Sequence, residues 1–438
     1  MIAADGHREK VLVTGADGFI GRAIVEALLL AGHEVVACAH RPSPRADAPG
    51  VRRVAIDFRE ACTEAAWRPL LEGIGAVVNV AGILRETHSG DFERIHHRAP
   101  LALARACGER GGVKFVQVSA LGGEADGPFI ASKHRFDAEL LASGIPATVI
   151  RPSVVLSTRG SYGGTSLLRA LAALPFVVFL PGKGEQRIQP VLLEDLAAMV
   201  VRCVQPAVAT GRVLHAVGPA VLTLRQYLGL VREWLALPAP AFVPIPKRVV
   251  AIAAWVGEIA GAGPLGRTIA GMLERGNVAP QGAWEAAREA SGVATRSVAD
   301  VLRAAPSFVQ DRWHARLYLL RPLIRVSLAA IWIVSGIVGM LATPREAAPF
   351  VDPLGVPAGL QAPLVVAASL LDIALGIALL TRRGEGAAIV LMFLSVVAYT
   401  LALGIASPAL WLDPLGGMLK NLALLALLPA YAAMRDAR

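Results

Sequence analysis

The chain has 438 residues, 55% of them hydrophobic, with 43 Lys/Arg against 34 Asp/Glu and a formal net charge of +9. That length exceeds one ordinary domain, and the apolar share points to a membrane part. From Leu323 onward seven Lys/Arg face six Asp/Glu, which leaves +8 of the +9 on residues 1–322; no basic run or aromatic-interleaved patch marks a nucleic-acid partner, so an anionic membrane surface is the simpler counterpart.

Residues 1–10 are polar and lack an apolar h-region, so no cleaved secretory signal is expected and the following domain should stay in the cytoplasm. Residues 11–14 read as a short apolar strand, followed at once by a glycine-rich turn and an amphipathic helix over 22–31 that Gly32 stops. Strands follow at 34–39, 51–57 and 76–80, a helix at 101–110, a strand at 114–119, a helix at 133–142 and a strand at 147–150. This alternation predicts an α/β fold, a Rossmann-type doubly wound parallel sheet, in residues 1–150. Past Arg151 and Pro152 prolines break the pattern, and helices at 194–204 and 224–235 lie between them. A small substrate lobe over 151–305 is expected. Residues 245–261 are apolar but interrupted by Lys247, Arg248 and Glu258, which fits a buried or interfacial helix better than a span of ~20 apolar residues. Cys38, Cys62, Cys107 and Cys203 stand at no metal-ligand or redox spacing and read as reduced core thiols.

A linker over 306–322 leads into a membrane domain over 323–438. Residues 323–342, 363–380, 387–405 and 415–434 are each long enough to cross a bilayer of ~30 Å, predicting a four-helix transmembrane bundle. Arg312, Arg316, Arg321 and Arg325 precede the first span, Arg382 and Arg383 lie between the second and third, and Arg435 and Arg438 follow the fourth. The positive-inside rule then puts both termini in the cytoplasm, for a multi-pass protein of the cell inner membrane. Asp372 and Lys420 fall at similar depths, which predicts that they pair, directly or through Asn421; the alternative is a protonated Asp372 against a backbone carbonyl with Lys420 snorkelling outward.

Gly15, Gly18 and Gly21 sit between strand and helix at the start of a βαβ unit, where such a turn admits a pyrophosphate to the helix N-terminus. After the second strand stand Ala39, His40 and Arg41, with no acid for a ribose 2′-hydroxyl. A guanidinium suits a 2′-phosphate, so NADP(H) is favoured, with NAD(H) as the alternative. Asp57 either accepts from the adenine amino group or caps the next turn.

Thr14 with the glycine triplet, Asn79-Val80-Ala81-Gly82, Ser119 at a strand end and Arg151-Pro152 resemble the extended and atypical short-chain dehydrogenase/reductases of the NAD-dependent epimerase/dehydratase type. Pro181 to Gly184, Gln189 to Val191 and Glu194-Asp195 resemble the branch that includes the nucleotide-binding accessory subunit of respiratory complex I. This resemblance covers roughly residues 10–305. It implies cofactor contacts from Gly15, Asp17, Gly18, Phe19, Ile20, Gly21, Arg41, Asp57, Val80, Ala81, Gly82, Ser119, Lys133 and Pro152. Ser335-Gly336, Ser369 to Asp372, and Trp411 to Gly416 with Lys420-Asn421 resemble the DoxX-like membrane domain.

Enzymes of this family transfer a proton from a Tyr four residues before a Lys, with a Ser on the neighbouring strand. Ser119 and Lys133 occupy two of those positions as candidate catalytic residues, but the Tyr position is Phe129, which has no proton to give. Ser132 and His134 flank Lys133 but should face differently from residue 129, and Tyr162 reaches the cleft only if the second lobe folds over it. His88, His96 and His97 show no ligand spacing and read as surface or helix-face histidines, so no metal is expected. Two readings follow. One is an NADP(H)-dependent oxidoreductase for an apolar quinone- or isoprenoid-type substrate. The other is a non-catalytic NADP(H)-binding accessory or assembly subunit of a membrane-protein complex.

Overall fold

A computed structural model describes residues 9–42, 49–123, 126–259, 271–272, 274–412 and 417–435. The chain divides into two compact units, Met1–Ala315 and Arg316–Arg438.

The first unit is built on seven strands: β1 (Lys10–Thr14), β2 (Glu34–Ala39), β3 (Val51–Ala55), β4 (Ala76–Asn79), β5 (Lys114–Val118), β6 (Ala147–Pro152) and β7 (Arg212–Ala216). All pair in parallel in the order β7-β6-β5-β4-β1-β2-β3. The expected doubly wound sheet is therefore present, with its strand order reversing between β1 and β4. Alternate residues feed opposite faces, as strand geometry requires. Val11, Val13, Val35, Val78 and Val116 share one core with Ile24 and Leu28 of α1 (Phe19–Leu30). Leu12, Val36, Val77, Phe115 and Val149 share another with Leu103 of α2 (Ala99–Arg110) and Phe136 and Leu140 of α3 (Pro128–Ala142). Because both faces are covered, the central strands β1, β2 and β4 carry unbroken apolar runs, Val11–Val13, Val35–Ala39 and Ala76–Val78, rather than alternating. Each fully buried Val, Leu or Phe contributes about 1.5–3 kcal/mol by leaving water.

Two helices differ from the expected spacing in ways that matter to the cleft. The helix carrying Lys133 begins at Pro128, a residue suited to a first helical turn, so Phe129 and Lys133 share one helix. Ahead of α2 the chain forms a π-helix over Glu93–Arg98, which turns Ile95 and His96 inward.

Beyond β6, α4 (Gly164–Ala172) and α6 (Leu224–Trp234) pack on a smaller core with Leu156, Leu180 and Leu192, while α5 (Leu193–Cys203) joins the α1 side of the main sheet. Strands Val177–Pro181 and Ala241–Ile245 pair in parallel beside them. Helix α7 (Lys247–Ile259) leaves Val249, Ile252 and Trp255 exposed, the pattern of an interfacial helix; Gly261, the end of that expected segment, lies outside the described residues.

In the second unit α8 (Val309–Leu341), α9 (Ala358–Thr381) and α10 (Glu385–Ala406) are long and apolar enough to cross a membrane. The fourth expected span is represented by α11 (Leu419–Ala433), an apolar helix of 15 residues. Backbones approach closely where glycine allows it: a Cβ on Gly336 would lie 2.5 Å from Ser369 O, and one on Gly376 2.9 Å from Ala329 O. The expected pairing of Asp372 with Lys420 is not formed. Asp372 Oδ1 has no hydrogen-bond partner, and Asn421 Nδ2 donates to Thr400 Oγ1 at 2.9 Å, toward α10 rather than α9. Equal depth sets one coordinate only; rotation about the helix axis decides the neighbour.

Candidate functional site

The glycine turn follows β1, and the segment holding Val80, Ala81 and Gly82 follows β4. These are the strand ends that flank the reversal of strand order, where an open α/β sheet forms its binding crevice. Gly15 has φ +64°, and a Cβ there would come within 2.9 Å of Ala81 Cα, so the turn and the β4 loop touch through it. A Cβ on Gly21 would meet Gly15 O at 2.1 Å, which makes the third glycine a packing requirement. Gly18 is exposed and forms the N-cap of α1, and as a glycine it offers the first-turn N–H groups no side-chain cap. This uncapped helix end over a bare backbone turn fits a dinucleotide pyrophosphate.

Beneath the crevice the strand ends carry a buried polar ladder in register. Thr14 Oγ1 donates to Asn79 Oδ1 at 2.5 Å, and Asn79 Nδ2 donates to Gln117 Oε1 at 2.7 Å. Thr14 Oγ1 also accepts the Val80 N–H at 3.2 Å, which fixes the start of the β4 loop.

At the adenosine end, Arg41 is exposed just past β2. Asp17 in the glycine turn faces Arg53 Nη1 of β3 at 3.2 Å. Asp57 Oδ1 accepts the Arg59 N–H at 2.9 Å, a turn cap, and its Oδ2 lies 3.3 Å from His40 Nδ1.

At the opposite end the candidate catalytic residues lie together. Lys133 is buried, its Nζ donates to Val118 O at 3.3 Å, and a Cβ on Gly82 would stand 3.2 Å from that Nζ. Burial pushes the Lys133 ammonium down to about 8, with the Asp137 carboxylate opposing. Ser119 Oγ donates to Asp137 Oδ2 at 2.7 Å, and Arg151 Nε donates to the same oxygen at 3.0 Å. Asp137 Oδ1 is buried without a hydrogen-bond partner, and burial raises this carboxyl above its ordinary range. Pro152, at the end of β6, accepts the Leu121 N–H at 3.0 Å, joining the β5 and β6 ends.

Phe129 stands where the proton donor would be, buried against Phe92 and His96 with ring centroids at 6.1 and 5.5 Å. His96 corrects the expectation of a surface or helix-face histidine: only 2% of it is exposed. Its Nε2 accepts the Ile83 N–H at 3.0 Å, so the proton sits on Nδ1 and is donated to Ser132 Oγ at 2.9 Å. Ser132 Oγ in turn donates to Phe129 O at 3.0 Å. Burial and the Lys133 charge hold this imidazole well below its ordinary value, hence neutral. His134 Nε2 lies 3.0 Å from Ala120 O, His97 bridges Glu93 and Glu139 at 2.9 Å each, and His88 is exposed. Tyr162 is half-exposed, and a Cβ on its neighbour Gly163 would lie 3.6 Å from Leu84 Cδ1 in the β4 loop.

Sequence reasoning missed Asp137, Arg151 as its partner, and His96. Asp137 follows Lys133 by one helical turn on the same face, a spacing that signals a shared environment. His96 carried no such signal, because its burial depends on the π-helix.

Residues 11–215 match the NAD dependent epimerase/dehydratase family and residues 329–429 the DoxX-like family. The chain joins an NAD(P)-binding epimerase-type domain to a DoxX-like membrane domain. The chain is 30% identical over 263 residues to divinyl chlorophyllide a 8-vinyl-reductase of Oryza sativa subsp. indica, covering 56% of this chain and 63% of that protein. It is 26% identical over 267 residues to NADH dehydrogenase (ubiquinone) 1 alpha subcomplex subunit 9 of Mus musculus, covering 58% of this chain and 67% of that one. The chain thus spans less than two thirds of the rice protein. The epimerase-type domain shares its fold with MoeE5, solved in complex with UDP-glucuronic acid and NAD: TM-score 0.51, 20% identity, 67% of this chain and 96% of that one.

Proposed function

We propose that this protein is a membrane-anchored, NADP(H)-preferring oxidoreductase that acts on an apolar quinone- or isoprenoid-type substrate at the cytoplasmic membrane face. The observation that carries the reading is the uncapped glycine turn at the sheet's switch point, in a chain that also holds a DoxX-like membrane domain. The rice relative is itself named a reductase. When bound, the nicotinamide supplies a hydride. Gly15, Gly18 and Gly21 with the first turn of α1 hold the pyrophosphate, Arg41 takes the 2′-phosphate, and Lys133, below Gly82, binds the nicotinamide ribose. The family's proton relay is absent: Phe129 has no proton, and the hydroxyls of Ser119 and Ser132 already donate to Asp137 and Phe129 O. The proton then comes from solvent or from Tyr162 at the rim.

Full-length protein in nanodiscs should oxidise NADPH with at least one member of a quinone panel. NADPH should bind more tightly than NADH, and Arg41→Ala should erase that difference by about tenfold, the worth of one charge-assisted contact. Equal affinity for the two cofactors overturns the NADP(H) assignment. The committed hydroxyls and Phe129 also favour the accessory-subunit reading, and the mouse relative is named as a subunit of a complex. Tight NADPH binding without turnover on any quinone or ketone decides for it.

A further inference from the structure

The apolar core of the second unit stops partway along its helices. Trp332 of α8, Leu375 and Leu379 of α9, Met392 and Val396 of α10 and Leu428 of α11 fill it together. One helical turn further along the same stripes the side chains become polar. Asp372 lies three residues from Leu375, Tyr399 and Thr400 lie three and four from Val396, and Asn421 lies three from Leu424, which packs on that core. Asn421 Nδ2 donates to Thr400 Oγ1 at 2.9 Å, which sets α10 and α11 level at this layer. The Asp372 charge reaches the Tyr399 phenol, so α9 and α10 meet at the same level. Asp372 stands nine residues before the end of α9 and fourteen after its start, ~14 and ~21 Å from the two ends.

Two groups of the layer lack partners. Asp372 Oδ1 is buried with no hydrogen-bond partner, and no cation or hydrogen-bond donor acts on this carboxyl among the described residues. Residues 413–416, the undescribed stretch ahead of α11, include no Lys, Arg or His. Tyr399 is 40% exposed, and its hydroxyl makes no hydrogen bond among the described residues. An isolated carboxylate is too costly among apolar helices, so the acid keeps its proton and has an O–H to give. Asp372 and Tyr399 thus present two O–H donors on neighbouring helices, open on the Tyr399 side. Donors without an acceptor select an uncharged ligand that carries a carbonyl oxygen. The missing cation argues against an anion, and a depth near the middle of a ~30 Å hydrocarbon core argues against a lipid headgroup.

We propose that Asp372 and Tyr399, backed by the Thr400–Asn421 pair, bind the carbonyl group of an uncharged, membrane-soluble molecule between α9 and α10. A quinone is the member of that class which the proposed reaction would use, and this choice of ligand rests on that reading. Full-length protein in phosphatidylcholine nanodiscs, without NADPH, is titrated with decylubiquinone, and with dodecane as a carbonyl-free control. Tryptophan fluorescence reads binding, and infrared difference spectra read the quinone carbonyl stretch and the carboxylic acid band. Decylubiquinone should saturate the protein where dodecane does not, and its carbonyl stretch should shift to lower frequency together with the acid band. Asp372→Leu and Tyr399→Phe should each weaken binding about tenfold, the worth of one hydrogen bond, and abolish part of the shift. Asp372→Asn, which keeps an N–H donor, should lose less, and Lys420→Met nothing. Should Asp372→Leu not fold, Asp372→Asn and the partly exposed Tyr399→Phe carry the test. Uptake matched by dodecane, an unshifted carbonyl, or equal affinity in Asp372→Leu and the parent overturns the site. So does a dimer in native mass spectrometry that Asp372→Leu dissolves, which would make the layer an interface between two copies. NADPH oxidation by decylubiquinone is measured separately: binding at this layer without turnover keeps the site and overturns the reaction, whereas turnover without such binding does the reverse.

Discussion

Asp91 anchors the loop that leads from β4 to the π-helix. Its carboxylate accepts from Arg59 Nε at 2.8 Å and Nη2 at 3.0 Å, and from the Thr87 and His88 N–H groups at 3.0 Å each. It is fully buried, and the Arg59 hydrogen bond holds it well below the usual carboxylate range. A carboxyl depressed on folding contributes stability that is full above its unfolded value of about 4 and lost as pH falls toward the folded one. Asp91→Asn should therefore cost about 3 kcal/mol at neutral pH in urea unfolding, and the variant's stability should change less than the parent's below about pH 4. Parallel pH profiles for the two proteins would show that Asp91 is not the acid-sensitive group. Phe129 poses the catalytic question at the same scale. If turnover draws its proton from elsewhere, Phe129→Tyr should oxidise NADPH at least as fast as the parent, since Lys133 already lies one turn along α3. A variant that folds and binds NADPH but loses turnover would place the apolar ring itself in the reaction.

At the scale of elements, Asp372 and Lys420 lie on helices whose side-chain partners were chosen by rotation as well as depth. Asn421 turns to Thr400, and Asp372 Oδ1 is left without a hydrogen-bond partner. The losses from Asp372→Asn and Lys420→Met should then add, within about 0.5 kcal/mol, when unfolding of the full-length protein is followed in detergent. Recovery of the loss in the double variant would restore the pairing that the sequence suggested. The same contrast holds in the first unit. The helix bearing Lys133 was legible from spacing over 133–142, but its first turn with Phe129 was not, and the π-helix that buries His96 has no periodic signature long enough to read.

For the whole molecule the arginine placement argues for both termini in the cytoplasm, which needs an even number of crossings. Among the described residues three helices have the length for it, while α11, with 15 residues, covers ~22 Å at 1.5 Å per residue. A reporter fused after Arg438 should be cytoplasmic, and a tag within residues 346–357 external. Periplasmic activity of the C-terminal fusion would mean that α11 does not cross. What the sequence determined alone were features carried by neighbours along the chain: the strand–glycine turn–helix unit, the apolar lengths, and Phe129 in place of a proton donor. Tertiary structure decided which distant groups meet. Ser119 donates its hydrogen bond to Asp137, His96 is buried and neutral beneath the β4 loop, and Arg325 is buried within the second unit. The reason is physical. Local pattern sets backbone conformation and which residues are apolar, but packing sets the register and rotation of one element against another, and hydrogen bonds and charge pairs depend on both.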